Sequence, residues 1–134
     1  MDDDALIGAA RDMLEQAYAP YSEYTVGAAI ETADGTVYTG CNIENANYSN
    51  SLHAEEVAIS HAIKEGHTEF TKLAVASGKR DGVTPCGMCR QTLAEFCDDD
   101  FVVLCDAEDG YAAYELGELL PDTITAEMVA RDDG

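Results

Sequence analysis

Residues 85–91 read PCGMCRQ and residues 53–55 read HAE, and the way these two runs fit together decides the reading of the whole chain. Cys86 and Cys89 stand three positions apart behind Pro85. On a helix that spacing puts both sulfurs on one face, within reach of a single metal ion. Thr84 reads as the N-cap and Pro85 as the first helical residue. The helix dipole and the free amides of that first turn are then expected to favour thiolate over thiol. A CxxC pair by itself also serves redox chemistry in βαβ chains, so alone it leaves metal and redox open.

His53 decides between them. It stands two residues before Glu55, and residues two apart in the body of a helix diverge. Only in a first turn, with the ion beyond the helix end, can His53 bind the metal while Glu55 flanks the water it carries. His53, Cys86 and Cys89 are three donors, and a tetrahedral zinc site with three protein ligands keeps a corner for water, as catalytic zinc sites do. Zn2+ lowers the pKa of such a water from about 15.7 toward ~7, and Glu55 is placed to shuttle its proton.

Working outward, apolar spacings of three and four over residues 2–19, with acids at the front, predict an amphipathic helix stopped before Pro20. Residues 24–30 and 37–41 read as strands, joined by the hairpin signal Asp34, Gly35. A helix follows over 51–66, a strand over 72–77, a helix over 85–96 and a buried strand over 101–105. The tail offers a strand over 111–115 and a helical turn over 116–120, ended by Pro121. This alternation predicts one α/β layer domain spanning residues 1–134.

Composition narrows the partners. Asp and Glu number 27 against 7 Lys and Arg, a formal net charge of -20, so the chain cannot offer the continuous basic track that nucleic acid demands. An acidic surface poor in lysine fits adaptation to high salt. No apolar run approaches the ~20 residues of a membrane span, and the start, MDDD, lacks the pattern of a secretory signal, so a soluble, cytoplasmic protein without membrane partners is expected. Five cysteines, an odd number with one CxxC, favour metal ligation in a reducing compartment over disulfides. Cys41, Cys97 and Cys105 are expected in the core. His61 and His67 are read as structural, and Arg90, beside a ligand, as a support of backbone or sulfur.

The pairing of HAE with PCGMC is the arrangement of zinc deaminases, and four blocks extend the likeness: YAPYSEYTVGA (18–28), GCNIENANY (40–48), HAE and PCGMCRQ. On them the chain resembles the small, single-domain cytidine deaminases. The resemblance implies a three-layer α-β-α sandwich around a mixed sheet of about five strands. It further implies Zn2+ and hydrolytic release of ammonia from cytidine or 2'-deoxycytidine in pyrimidine salvage. By the same likeness Asn42 and Glu44 would hold the ribose hydroxyls, Tyr24 would line the pyrimidine pocket, and the backbone of Ala54 and Thr84 would contact the base. A free pyrimidine nucleoside is the implied substrate and a homotetramer the implied assembly, with Tyr48 toward a subunit interface.

Two departures stand out. Small members of the family often carry Cys as first ligand and Arg just after the catalytic Glu, where this chain has His53 and Glu56. One imidazole and two thiolates neutralise Zn2+, so a compensating Arg is dispensable. Near the C-terminus, where the family offers an aromatic over the base, Ile124 takes the matching position. Two rival readings remain: a deaminase of a cytosine-containing nucleoside antibiotic, which shares PCGMCR but not the 42–48 block, and a structural zinc module with Cys97 or His61 as a fourth ligand.

Overall fold

The strand Val26–Thr32 (β1), reading VGAAIET, sends alternate side chains to opposite faces of a sheet. Ala28 and Ile30 enter one buried cluster and Ala29 another, so the strand is covered on both sides. Phe70–Ser77 (β3) repeats the pattern with Leu73 and Val75 against Ala74 and Ala76. Val102–Ala107 (β4) does so with Val103 and Cys105 against Leu104. Together with Val37–Cys41 (β2) and Gly110–Glu115 (β5) they form a five-stranded sheet in the order β2-β1-β3-β4-β5. Only β3 and β4 pair in parallel; the other neighbours are antiparallel. The structure, a computed structural model, describes residues 1–78, 83–126 and 129.

One face carries helix α1 (Asp3–Asp12), seated through Leu6, Ile7 and Ala10 on the small side chains Ala29, Ala74 and Ala76. The other carries α2 (Ala54–Lys64) and α3 (Gly87–Phe96), with the short α4 (Leu116–Leu119) alongside. The three-layer α-β-α sandwich with a mixed sheet is therefore as expected. Burial of each large aliphatic side chain here is worth roughly 1.5–3 kcal/mol over exposure.

Several boundaries differ from the sequence reading. The first helix stops at Asp12, passes through a 3-10 turn at Met13–Gln16, and is extended by Ala17. Tertiary pairing overrides its periodicity, because the Tyr18 amide donates to the Asn42 carbonyl at 2.9 Å and the Glu44 amide donates to Tyr18 at 2.8 Å. The strand expected over 24–30 begins at Val26, since the Tyr24 carbonyl accepts instead from Asn42 Nδ2 at 2.8 Å. The hairpin turn is where Asp34 and Gly35 put it, with Gly35 at φ +90. Cys41 and Cys105 are buried as expected, and Cys97 is half-buried against the same core. Among the described residues no helix is long and apolar enough to cross a membrane.

The topology brings two helix N-termini together. Helix α2 runs into β3 and α3 follows it, so both helices begin near the carboxyl end of that strand. Gly40 of β2 sets the height of α2, because a Cβ there would lie 2.4 Å from the Ala54 carbonyl oxygen and 2.6 Å from the Ala58 nitrogen.

Candidate active site

His53 is the N-cap of α2, with extended backbone (φ -85, ψ 149), so its side chain leaves the helix end rather than its flank. Across from it, Cys86 is the N-cap of α3 and its sulfur accepts from the Cys89 amide at 3.4 Å. This corrects the assignment of Thr84 as cap and Pro85 as first helical residue. The sulfur itself satisfies an orphan amide of the first turn, and the helix starts at Gly87. Thr84 is used differently: its hydroxyl accepts from Arg90 Nη2 at 2.9 Å.

His53 Nδ1 faces Cys86 Sγ at 3.3 Å, and the donor atoms of His53, Cys86 and Cys89 all lie within 4.8 Å of one another. Tetrahedral zinc bound at about 2.0–2.3 Å holds its donors some 3–4 Å apart, so this trio needs only a small contraction to take one. One imidazole and two sulfurs are also a donor set that zinc prefers. Neither Cys97 nor His61 joins the trio among the described residues. His61 stacks edge-on against Tyr38, 4.8 Å between centroids, and His67 packs on the same ring at 5.5 Å. Arg90 supports the backbone rather than sulfur, donating to the carbonyls of Pro85 and Leu119, each at 2.7 Å.

Behind the trio lies Glu55, only 4% exposed. Burial pushes its carboxyl above the ordinary carboxylate range, opposed by hydrogen bonding from its own amide, by His53, and by the Cys89 thiol. Burial also pushes the Cys89 thiol far up, with Glu55 adding to the effect. The expected acidification by the helix end is thus outweighed at Cys89, and a metal ion is what would ionise that sulfur. Burial likewise raises Cys97 to about 12 and Cys105 to about 11, which leaves both thiols inert.

A cavity of about 500 Å³ opens in front of these groups, lined by Tyr24, Asn42, Glu44, His53, Ala54, Glu55, Thr84 and Cys86 among others. Apart from Ile124, the residues expected at the site meet here, with Cys89 buried just behind the wall. Asn42 and Glu44 are already occupied in part. Asn42 Oδ1 accepts from the Val26 amide at 2.9 Å while its Nδ2 donates to Tyr24, and Glu44 accepts from the Tyr21 and Ser22 amides and the Ser22 hydroxyl. The Ser22 hydroxyl, with those amides, holds the Glu44 carboxyl below its usual range. Both residues line the cavity and each keeps unused hydrogen-bonding capacity: a second N–H on Asn42 and a spare lone pair on Glu44.

A family profile described as "Cytidine and deoxycytidylate deaminase zinc-binding region" matches residues 1–105. The chain belongs to this deaminase family. It is 41% identical over 128 residues to a cytidine deaminase of Sporosarcina psychrophila, covering 95% of this chain and 94% of that one. A cytidine deaminase crystal structure from Burkholderia pseudomallei superposes with TM-score 0.87 at 39% identity, over 92% of this chain and all of the other. A second, from Mycobacterium tuberculosis, gives TM-score 0.82 at 36% identity, over 92% of this chain and 98% of the other. The trio thus belongs to a family whose profile is defined by zinc binding, and zinc is the cofactor.

Two contacts that fix the start of α2 escaped the sequence reading. Glu56 accepts the His53 amide at 2.7 Å, a bond that the spacing of three between a cap and a Glu could have flagged had His been counted among caps. Gly40 carries no such signal, since only the packed structure shows what its missing side chain admits. Ile124, expected over the base, is 59% exposed and lines a separate cavity of about 290 Å³ with Gln91, Glu95 and Val129.

Proposed function

We propose that this chain hydrolyses the 4-amino group of cytidine and 2'-deoxycytidine, giving uridine or 2'-deoxyuridine and ammonia, in cytoplasmic pyrimidine salvage. The observation that carries the reading is one buried carboxylate, Glu55, beside a convergent imidazole and two sulfurs at the floor of a nucleoside-sized cavity. His53, Cys86 and Cys89 are the residues that would hold Zn2+. Zinc supplies Lewis acidity there and brings water into the range where it ionises near neutral pH.

Glu55 takes the proton of the attacking water and gives it to ring nitrogen 3, which makes carbon 4 electrophilic. The carboxylate then takes the second proton, from the hydroxyl now bound to carbon 4, and passes it to the amine, which leaves as ammonia while the C4 carbonyl forms; one group thus serves as base and acid in turn. A carboxyl whose burial raises its pKa is suited to this, because it holds a proton more readily than an exposed one. Asn42 and Glu44 meet the sugar diol with their remaining donor and acceptor, Tyr24 lines the pyrimidine pocket, and the backbone of Ala54 and Thr84 contacts the base.

No Lys or Arg is among the described residues lining the cavity, and Glu44 carries negative charge at the sugar end. A nucleoside is favoured and a 5'-phosphate is repelled. Exposed Tyr21, Tyr48 and Leu52 rim the mouth, with Tyr48 74% exposed, which supports a homotetramer in which a neighbour covers them. Ammonia release from cytidine, 2'-deoxycytidine, cytidine 5'-monophosphate and a cytosine-containing nucleoside antibiotic, measured side by side, tests the assignment. Both nucleosides should turn over well and the monophosphate poorly. A large preference for the antibiotic or the monophosphate would overturn it.

A further inference from the structure

The cap of α2 is built from an unusual pair. Its N-cap is an imidazole, and the amide of that same residue donates to the carboxylate of Glu56 at 2.7 Å. On its other side the His53 carbonyl accepts from the Val57 amide at 3.0 Å. Both peptide groups flanking the His53 α-carbon are therefore held, and the only freedom left to the imidazole is rotation about its own side-chain bonds. With that backbone fixed, Nδ1 rests 3.3 Å from Cys86 Sγ, facing the space the two sulfurs share.

We propose that Glu56 is a positioning residue for the metal site, acting through the backbone amide of His53 to hold the first ligand in place. The inference rests on the reading of His53, Cys86 and Cys89 as ligands and deepens it. Without the Glu56 bond the N-cap amide turns to water, the backbone at residue 53 gains freedom, and the imidazole must be ordered at the moment the ion binds. That ordering is a cost in metal affinity, not only in helix stability. The role belongs to the hydrogen bond rather than to the charge, since a glutamine oxygen can accept the same bond.

The test is Zn2+ affinity, by competition with a chromophoric chelator, and the visible absorption of the Co2+-substituted protein, for the wild type, E56A and E56Q. Asp2→Ala is the control, because Asp2 Oδ1 accepts the Ala5 amide at 2.8 Å and so caps α1 on the opposite face of the sheet. E56A should weaken Zn2+ binding about 10–100-fold and alter the Co2+ bands. E56Q should stay close to the wild type, and D2A should lower thermal stability with affinity and bands unmoved. Should E56A fail to fold, E56D, one methylene too short for the bond, is read the same way. Wild-type affinity in the variant lacking the bond, or an equal loss in D2A, overturns the proposal. A wild-type protein that takes up no Zn2+ sinks the ligand reading itself, and this inference with it.

Discussion

Gly40→Ala is the smallest change that should disturb the chemistry from outside the cavity. The added methyl would sit 2.4 Å from the Ala54 carbonyl oxygen, 2.6 Å from the Ala58 nitrogen and 3.0 Å from Val57 Cβ, and two of these three neighbours are helix backbone. Restoring ordinary contact at about 3.4 Å requires the first turns of α2 to lift by about 1 Å. That turn carries both His53 and Glu55, and a displacement of 1 Å at reacting groups costs on the order of 10²-fold in rate. Overpacking should also cost about 1–3 kcal/mol of stability. The sign is diagnostic, because the same substitution in an open strand stabilises by about 0.4–1 kcal/mol through the unfolded chain. Thermal unfolding and kcat on cytidine, measured on the same zinc-loaded preparation, check both effects. Wild-type kcat in G40A would refute the argument that close approach of β2 to α2 sets the site.

Further predictions follow from the charges. Asp34, held at about 2 first by the Thr32 hydroxyl and then by Thr36, has a depressed folded-state pKa, so its contribution is present above about pH 4 and lost as pH falls toward 2. The stability gap between the wild type and Asp34→Asn, read by denaturant titration at each pH, should therefore narrow across that window; a constant gap would show that the carboxylate is not stabilised by folding. Arg90→Lys forfeits the planar fork that reaches Pro85, Thr84 and Leu119, and should cost about 1.5–3 kcal/mol with KM rising more than kcat falls. All four described Lys and Arg side chains are engaged within the chain, at Asp106, Glu65, Asp3 and the Arg90 cluster. The excess carboxylate is thus left to repel itself, and the melting temperature should climb from low to molar salt; a flat response would end the proposal of salt adaptation.

The donors were legible in the sequence because metal ligation needs particular atoms, and few side chains other than His and Cys supply them. The sheet was legible because strands covered on both faces read as short apolar runs, as at Leu73 to Ala76 and Val103 to Cys105. What was not legible depends on partners distant in sequence. The periodicity of residues 2–19 says nothing of the Asn42 carbonyl that pulls Tyr18 out of the helix. The PC dipeptide reads as a helix start, but a sulfur that caps its own CxxC turn moves the start to Gly87. What the CxxC spacing does not reveal at Cys89 is burial beside Glu55, which opposes the acidifying effect of the helix end and leaves ionisation of that sulfur to the metal.

Zinc content and cytidine turnover, measured together for the wild type and Glu55→Gln, test the central claim most directly. One zinc per chain in both proteins, with turnover in the variant falling by a factor of about 10²–10⁴, is the result expected of a proton shuttle that is not a ligand. A wild type without zinc, or a variant that deaminates as fast as its parent, would contradict the account.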